Sequence, residues 1–221
     1  MSSVMICGSR QLPSAAFALI DTLVGVLLAH GRALIVGCAA GADRVALNAA
    51  MQLAPSRLSV LAAFGPGGKG AAGSASAVAA VQAAARAGVP VLWWAGGGPT
   101  VPLRARLAAR SLNAVRQVAC SGAGAGLIAV VGSLPSRSWT GRGPWWSCGS
   151  GSWSSVAAAD AFGLRVVVFP VGAAGLGGAS LPALPSAPGH WAPAGRGVWS
   201  AGWVWVPDLA LLQGSEGNTS V

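Results

Sequence analysis

The stretch from Leu34 to Asn48, LIVGCAAGADRVALN, constrains the fold more than any other part of the chain. An apolar run stops at Gly37 and restarts, after Gly41 and Asp43, with helical spacing. That pattern reads as a strand, a tight turn and a helix N-terminus. Gly37 and Gly41 allow positive φ and close approach to a ligand, and the unpaired amides of a first helical turn favour an anion. The spacing is neither G-x-G-x-x-G nor G-x-x-x-x-G-K-[ST], so neither standard nucleotide fingerprint applies. An ordinary βα turn capped by Asp43 accounts for the same residues.

The rest of the chain repeats this alternation. Val4 to Cys7 reads as a strand ending in Gly8-Ser9-Arg10, and Ser14 is placed to cap a helix that stops at Gly31. The helix opened by the glycine turn runs to about Leu53. Leu58 to Phe64 is a third strand, Gly65-Pro-Gly-Gly-Lys-Gly70 a flexible loop, Ser74 to Ala87 an alanine-rich helix and Val89 to Trp94 a fourth strand. Leu103 to Val115 is helical, with Arg106 and Arg110 on a face expected to be solvated. Leu127 to Val131 is a fifth strand. Cys148-Gly-Ser-Gly-Ser-Trp153 opens another helix, and Arg165 to Pro170 is a sixth strand. Strands and helices at this spacing predict an α/β fold, a parallel sheet covered on both faces, with the two glycine turns at its carboxyl edge.

Beyond Val171 the chain is rich in Gly, Ala, Pro and Leu as far as Gly189, which reads as a linker or loosely draped segment. Val198 to Pro207 carries three tryptophans and alternates in its second half. It suits an extra strand, a lid or a dimer surface, so a homo-oligomer is one expectation. The expected division is therefore residues 1–171 and a Gly/Pro/Trp-rich extension, 172–221.

Fourteen basic residues, thirteen of them arginine, oppose five acidic ones, and the net charge of +9 points to a polyanionic partner. A GC-rich coding sequence would enrich the same residues. The long uncharged stretches, 117–136 and 166–193, are interrupted by Gly and Pro, so no membrane span is expected, and the N-terminus lacks a basic n-region. The cytoplasm is the expected compartment. Cys7, Cys38, Cys120 and Cys148 lack C-x-x-C spacing; they read as small buried thiols, with no metal site. His30 falls at a helix C-terminus and His190 in the loose segment, so no histidine-based triad can be drawn.

Taken together, Gly8-Ser9-Arg10, Gly37-Cys-Ala-Ala-Gly-Ala-Asp43 and Gly149-Ser-Gly-Ser-Trp153 with Gly163-Leu-Arg-Val-Val-Val-Phe-Pro170 resemble a Rossmann-like superfamily. It contains the DNA-processing protein DprA, the LOG-type nucleotide phosphoribohydrolases and the nucleotide-sensing SLOG domains. The resemblance spans about Val4 to Pro170 and implies a phosphate site. Gly8, Ser9 and Arg10 would hold one edge; Gly37, Cys38, Ala40 and Gly41 would line the turn; Asp43 would cap it or touch a ribose hydroxyl; Gly149, Ser150, Gly151 and Ser152 would face a phosphate. Arg110 resembles an arginine that relatives place on the helix before strand five.

Departures narrow the chemistry. LOG-type enzymes carry Pro-Gly-Gly-x-Gly-Thr-x-x-Glu, whose acid works on the glycosidic bond. Here Pro66-Gly-Gly-Lys-Gly70 is followed by Ala71-Ala-Gly-Ser and comes too early, and the sole glutamate, Glu216, is in the tail. Hydrolysis is disfavoured because only Asp43 or Asp160 could supply a carboxylate. No cofactor is implied.

The leading expectation is a binding or sensing module for a nucleotide or nucleotide-derived small molecule. The alternative is DprA-like binding of single-stranded DNA, with arginines and tryptophans interleaved at Arg137, Trp139, Arg142, Trp145 and Trp146, and a second alternative is a LOG-like nucleoside monophosphate phosphoribohydrolase, with Asp43 as its catalytic residue.

Overall fold

The computed structural model describes residues 1–71, 75–135, 150–172 and 178–208. Strands and helices alternate through β1 (Ser3–Gly8), α1 (Ala15–Ala29), β2 (Ala33–Val36), α2 (Ala42–Leu53), β3 (Leu58–Leu61) and α3 (Ala75–Arg86). They continue through β4 (Val91–Leu92), α4 (Leu103–Ala119), β5 (Gly126–Val131), α5 (Gly151–Ala161) and β6 (Arg165–Pro170), and β7 (Gly189–Pro193) and β8 (Trp203–Pro207) follow. The eight strands form one sheet of order β4-β3-β2-β1-β5-β6-β8-β7. β1 to β6 are parallel, and β8 adds antiparallel to β6 with Val167 opposite Val204. This is the expected α/β architecture.

Strands buried on both faces have to be apolar without alternation. Val4 to Cys7 and Leu127 to Val131 meet that demand, and all of them are buried. Their side chains divide between two cores. Ile6, Val36, Val60 and Val130 pack with α1, α2 and α3, while Met5, Cys7, Leu127 and Ala129 pack with α4 and α5. Helices stop where glycine takes positive φ, at Gly31, Gly88 and Gly163, as the sequence indicates.

Helix α5 is buried nearly all round, through Val156, Ala157, Ala158, Ala159 and Asp160, because a second layer covers it. That layer is the segment expected to drape loosely. Leu181 and Leu184 are buried in the α4/α5 core, the Ser186 amide donates to Asp160 Oδ2 (3.1 Å), and Trp191 Nε1 donates to the Pro182 carbonyl (2.9 Å). The tryptophan segment takes the strand reading: β8 is hydrogen-bonded to strands on both sides, and β7 is the edge.

Several local expectations are corrected. β3 ends at Leu61, and β4 keeps only Val91 and Leu92, since Pro90 has no amide to donate and the chain turns at Trp94, whose φ is +55°. Ser14 occupies the N-cap of α1 but its side chain makes no capping hydrogen bond. Cys120 is exposed, unlike Cys7 and Cys38. His190 lies on β7 rather than in a loose segment, 3.3 Å from Asp208. Among the described residues no helix is long and apolar enough to cross a membrane.

Candidate functional site

The sheet order places the site. The chain lays down β1 to β4 in one direction and then returns to add β5 and β6 on the other side of β1. In open parallel sheets a crevice forms outside the carboxyl ends of the strands where the order reverses, and ligands bind there. In this chain that reversal lies between β1 and β5. Cys7-Gly8-Ser9 leaves one strand and Val131-Gly132-Ser133 the other.

Hydrogen bonds fasten the crevice. The Ser9 amide donates to the Val130 carbonyl (2.9 Å), and Ser9 Oγ accepts from the Gly132 amide (2.7 Å). The Ser9 carbonyl accepts from the Ala42 amide (3.2 Å), which ties the start of α2 to the same edge. Gly8 must lack a side chain, because a Cβ there would run into the Val130 carbonyl and lie 2.7 Å from Ala42 Cβ. On the other face, Trp153 is fully buried and its Nε1 donates to the Ser133 carbonyl (2.9 Å), which fixes the first turn of α5 at the end of β5. Ser150 caps that helix, accepting from the Trp153 amide at 3.5 Å.

These bonds fasten Ser9 to Gly132 and the first turn of α5, which holds Ser150, Gly151 and Ser152, to Ser133, so both groups adjoin the end of β5. Arg10 and Gly151 are exposed, and Gly8, Ser9, Ser150 and Ser152 are half-buried. Gly149, Arg137, Trp139, Arg142, Trp145, Trp146 and Cys148 lie outside the described residues, although the chain leaves at Pro135 and re-enters at Ser150, both next to this crevice. Sequence reasoning missed Gly132 and Ser133. The signal was present, since the strand-Gly-Ser pattern that ends β1 recurs at the end of β5.

The Gly37–Asp43 turn is organised inward. Gly41 has φ +75° and is the N-cap of α2, as its type suggests, but Asp43 does not cap the helix. Asp43 Oδ2 accepts from the Ala39 amide (3.1 Å) and lies 3.4 Å from Arg110 Nη1, with both side chains buried. Burial holds its carboxyl above the ordinary value, against the opposing pull of Arg110 and of the Ala39 amide. Gly37 is needed for space rather than for positive φ: a Cβ there would collide with Arg110 and Asp43. Cys38 Sγ accepts from the Ala63 amide (3.3 Å). Only Ala39 and Ala40 of this turn reach the surface, and they are half-buried.

One expectation falls with that geometry. Arg106 and Arg110 are not on a solvated face; each is 5% exposed. Asp43 and Arg110 are paired with each other within the fold. The crevice between this turn and α3, lined by Cys38, Asp43, Leu47, Ala77 and Val81 among others, has no room for a water molecule. A preformed small-molecule pocket measures about 300–1,000 Å³.

Beside it, Cys7 is no nucleophile. Burial, reinforced by Asp43, pushes its thiol up to about 12. Among the described residues no group of three His, Cys, Asp or Glu side chains is placed to hold a metal.

A second cluster was not foreseen. The loop after β3 is a 3-10 turn at Pro66–Gly68, and Gly65 and Gly70 pack on the ring of Trp94. Arg106 reaches under it, with its guanidinium 5.2 Å from the centroid of the Trp94 ring. Its sequence signal was the glycine run opposite a tryptophan pair, a packing requirement that reads as flexibility when taken alone.

No protein-family profile matches the sequence, and no curated protein matches it. Solved structures do match in fold. One is DNA processing protein A from Helicobacter pylori, described by its single-stranded DNA binding mode, with a TM-score of 0.55 and 18% identity over 76% of this chain. Another is DNA processing protein A (DprA) from Streptococcus pneumoniae, with a TM-score of 0.51 and 18% identity over 77% of this chain. The chain spans 65% and 50% of the lengths of those two proteins. It has the DprA-like Rossmann fold that its motifs resemble.

Proposed function

We propose that this chain binds single-stranded DNA along the carboxyl edge of its sheet, at the β1/β5 crevice. The observation that carries the reading is the fold shared with a protein described by its single-stranded DNA binding mode, joined to a crevice at this chain's own strand reversal between β1 and β5. The net charge of +9 supports it, since a phosphate backbone rewards a surplus of arginine. So does the site's composition. Ser9, Arg10, Ser150, Gly151 and Ser152 offer hydroxyl, guanidinium and helix-start amide donors suited to phosphate oxygens.

The closed crevice at Gly37–Asp43 favours this reading over the small-molecule one. An extended strand needs an open edge lined with donors, whereas a single nucleotide needs an enclosing pocket to bury most of its surface. Hydrolysis of a nucleotide receives no support from Asp43, whose carboxylate is engaged with Ala39 and Arg110. Arg137, Trp139, Arg142, Trp145 and Trp146 belong to the segment that joins the two sides of the crevice in sequence, and they would supply charge and stacking surfaces.

The assay is fluorescence anisotropy of a labelled oligo-dT with wild type, Arg10→Ala, and Arg142→Ala combined with Trp145→Ala. The double variant should weaken binding at least about five-fold, since one stacked base contributes roughly 1–3 kcal/mol, and Arg10→Ala should weaken it and lower the salt dependence through a lost phosphate contact. Unchanged affinity in both would overturn this site.

A further inference from the structure

Arg106 carries a charge that no carboxylate among the described residues pairs with. It sits on α4 one turn before Arg110 and is 5% exposed. Nη1 donates to the Ala63 carbonyl (2.8 Å) and Nη2 to the Gly70 carbonyl (2.9 Å), while Nε has no partner among the described residues. Among the described residues no carboxylate lies within ion-pair distance of it. The one buried carboxylate nearby, Asp43, is already paired with Arg110. Guanidinium groups do not shed their proton in proteins. Among the described residues the Arg106 charge is therefore unpaired, and it lies under the loop after β3, bonded to the Ala63 and Gly70 carbonyls.

That loop is built to meet an anion. Gly67, Gly68 and Gly70 all have positive φ, which keeps their backbone bare of side chains. The amides of Gly65, Gly68 and Ala71 are used within the loop, donating to Lys69, Gly65 and Gly68 carbonyls. Among the described residues those of Gly67, Lys69 and Gly70 have no backbone acceptor. A Cβ at Gly70 would sit 2.6 Å from the Trp94 ring and 3.0 Å from Arg106 Nη1, so only glycine lets the backbone lie this close to the guanidinium. Lys69, the only lysine in the chain, is exposed on the same loop.

We propose that the Gly65–Gly70 loop, with Arg106 beneath it and Lys69 on its rim, is a site for one phosphate group. The site deepens the reading of single-stranded DNA binding and rests on it for its biological ligand. It lies at the carboxyl end of β3, two strands or roughly 10 Å from β1, a distance that a few nucleotides of extended strand can cover. The phosphate is either a backbone diester or a terminal monoester.

The test is a titration of the full chain, ¹⁵N-labelled, with inorganic phosphate at constant ionic strength, followed by amide and arginine Nε–H chemical shifts. Saturable shifts at Gly67 to Ala71 and at Arg106 Nε–H are expected, weakened at least ten-fold in Arg106→Gln and unaffected by Arg10→Ala. Lys69→Gln, an exposed change that leaves the fold alone, should weaken them at least three-fold and serves if Arg106→Gln does not fold. No shifts, or shifts confined to Ala39–Arg44 and Ser150–Trp153, would overturn the proposal.

Competition by oligo-dT with and without a 5′-phosphate assigns the source. Displacement by both indicates a diester, and displacement by the phosphorylated form alone a terminal phosphate. Phosphate shifts at this loop without any oligonucleotide binding would leave the site standing and remove the DNA reading. DNA binding without the shifts would do the reverse.

Discussion

Replacing Asp43 with alanine tests how the central turn is held. The carboxylate is buried, accepts from the Ala39 amide at 3.1 Å and is the sole carboxylate paired with Arg110, at 3.4 Å, among the described residues. Asp43→Ala leaves a buried guanidinium without its counter-charge and a turn amide without its acceptor. Breaking a buried pair from one side costs about 3–5 kcal/mol. With a urea m-value of about 2 kcal/mol/M, the unfolding midpoint should fall by roughly 1.5–2.5 M. Asp43→Asn should cost less by at least ~1 kcal/mol, because a neutral amide can still accept from Ala39. Arg110→Met should cost less in the Asp43→Ala background than in wild type, with a coupling of at least ~1 kcal/mol.

The pH dependence has a definite sign. Folding raises the Asp43 carboxyl, so the native state holds that proton more tightly than the unfolded chain. The part of its stability that comes from proton binding is complete below the ordinary carboxylate value of about 4 and is lost as pH rises through the folded value, while the contacts with Ala39 and Arg110 remain. Wild type should therefore compare best with Asp43→Asn in acid, and its advantage should shrink toward neutrality. A loss from Asp43→Ala below ~1 kcal/mol at pH 7, or an advantage that grows with pH, would refute the reasoning.

Gly37→Ala should destabilise by at least about 2 kcal/mol although φ at Gly37 is not positive, because the added methyl enters the space of the Arg110–Asp43 pair; thermal unfolding would measure it, and a neutral effect would contradict the packing. In a Cys148→Ser background, Cys120 should alkylate readily at pH 8 while Cys7 and Cys38 stay unmodified until denaturant is added, with mass spectrometry of tryptic peptides as the readout.

The fold was legible because burial on both faces leaves a strong trace. The unbroken runs at Val4–Cys7, Leu127–Val131 and Val166–Phe169 could hardly be anything but central parallel strands, and the glycines that end the helices marked the punctuation between them. The switch-point crevice was half-legible: Gly8-Ser9-Arg10 and Ser150-Gly151-Ser152 were found, and their partner Gly132-Ser133 was passed over. What could not be read was the direction in which charges point. Arg106 and Arg110 have the spacing of a solvated helix stripe, but α4 covers the sheet with that stripe, so the pair reaches beneath the turns after β2 and β3. Asp43 sits where an N-cap acid would be expected and instead locks the turn before it. The arginine roles depend on contacts at separations of tens of residues, which local periodicity does not encode. The draped segment after Val171 misled for the same reason, since its two anchoring leucines find their core only across α5.

The most direct test of the central claim is the salt dependence of binding to single-stranded and duplex oligonucleotides of one sequence, followed by fluorescence anisotropy. The account predicts a preference for the single strand and a logarithmic affinity that falls steeply and linearly with the logarithm of salt, with a slope of about −0.7 per phosphate neutralised. No binding of the single strand even at low salt, or equal binding of both forms, would contradict it.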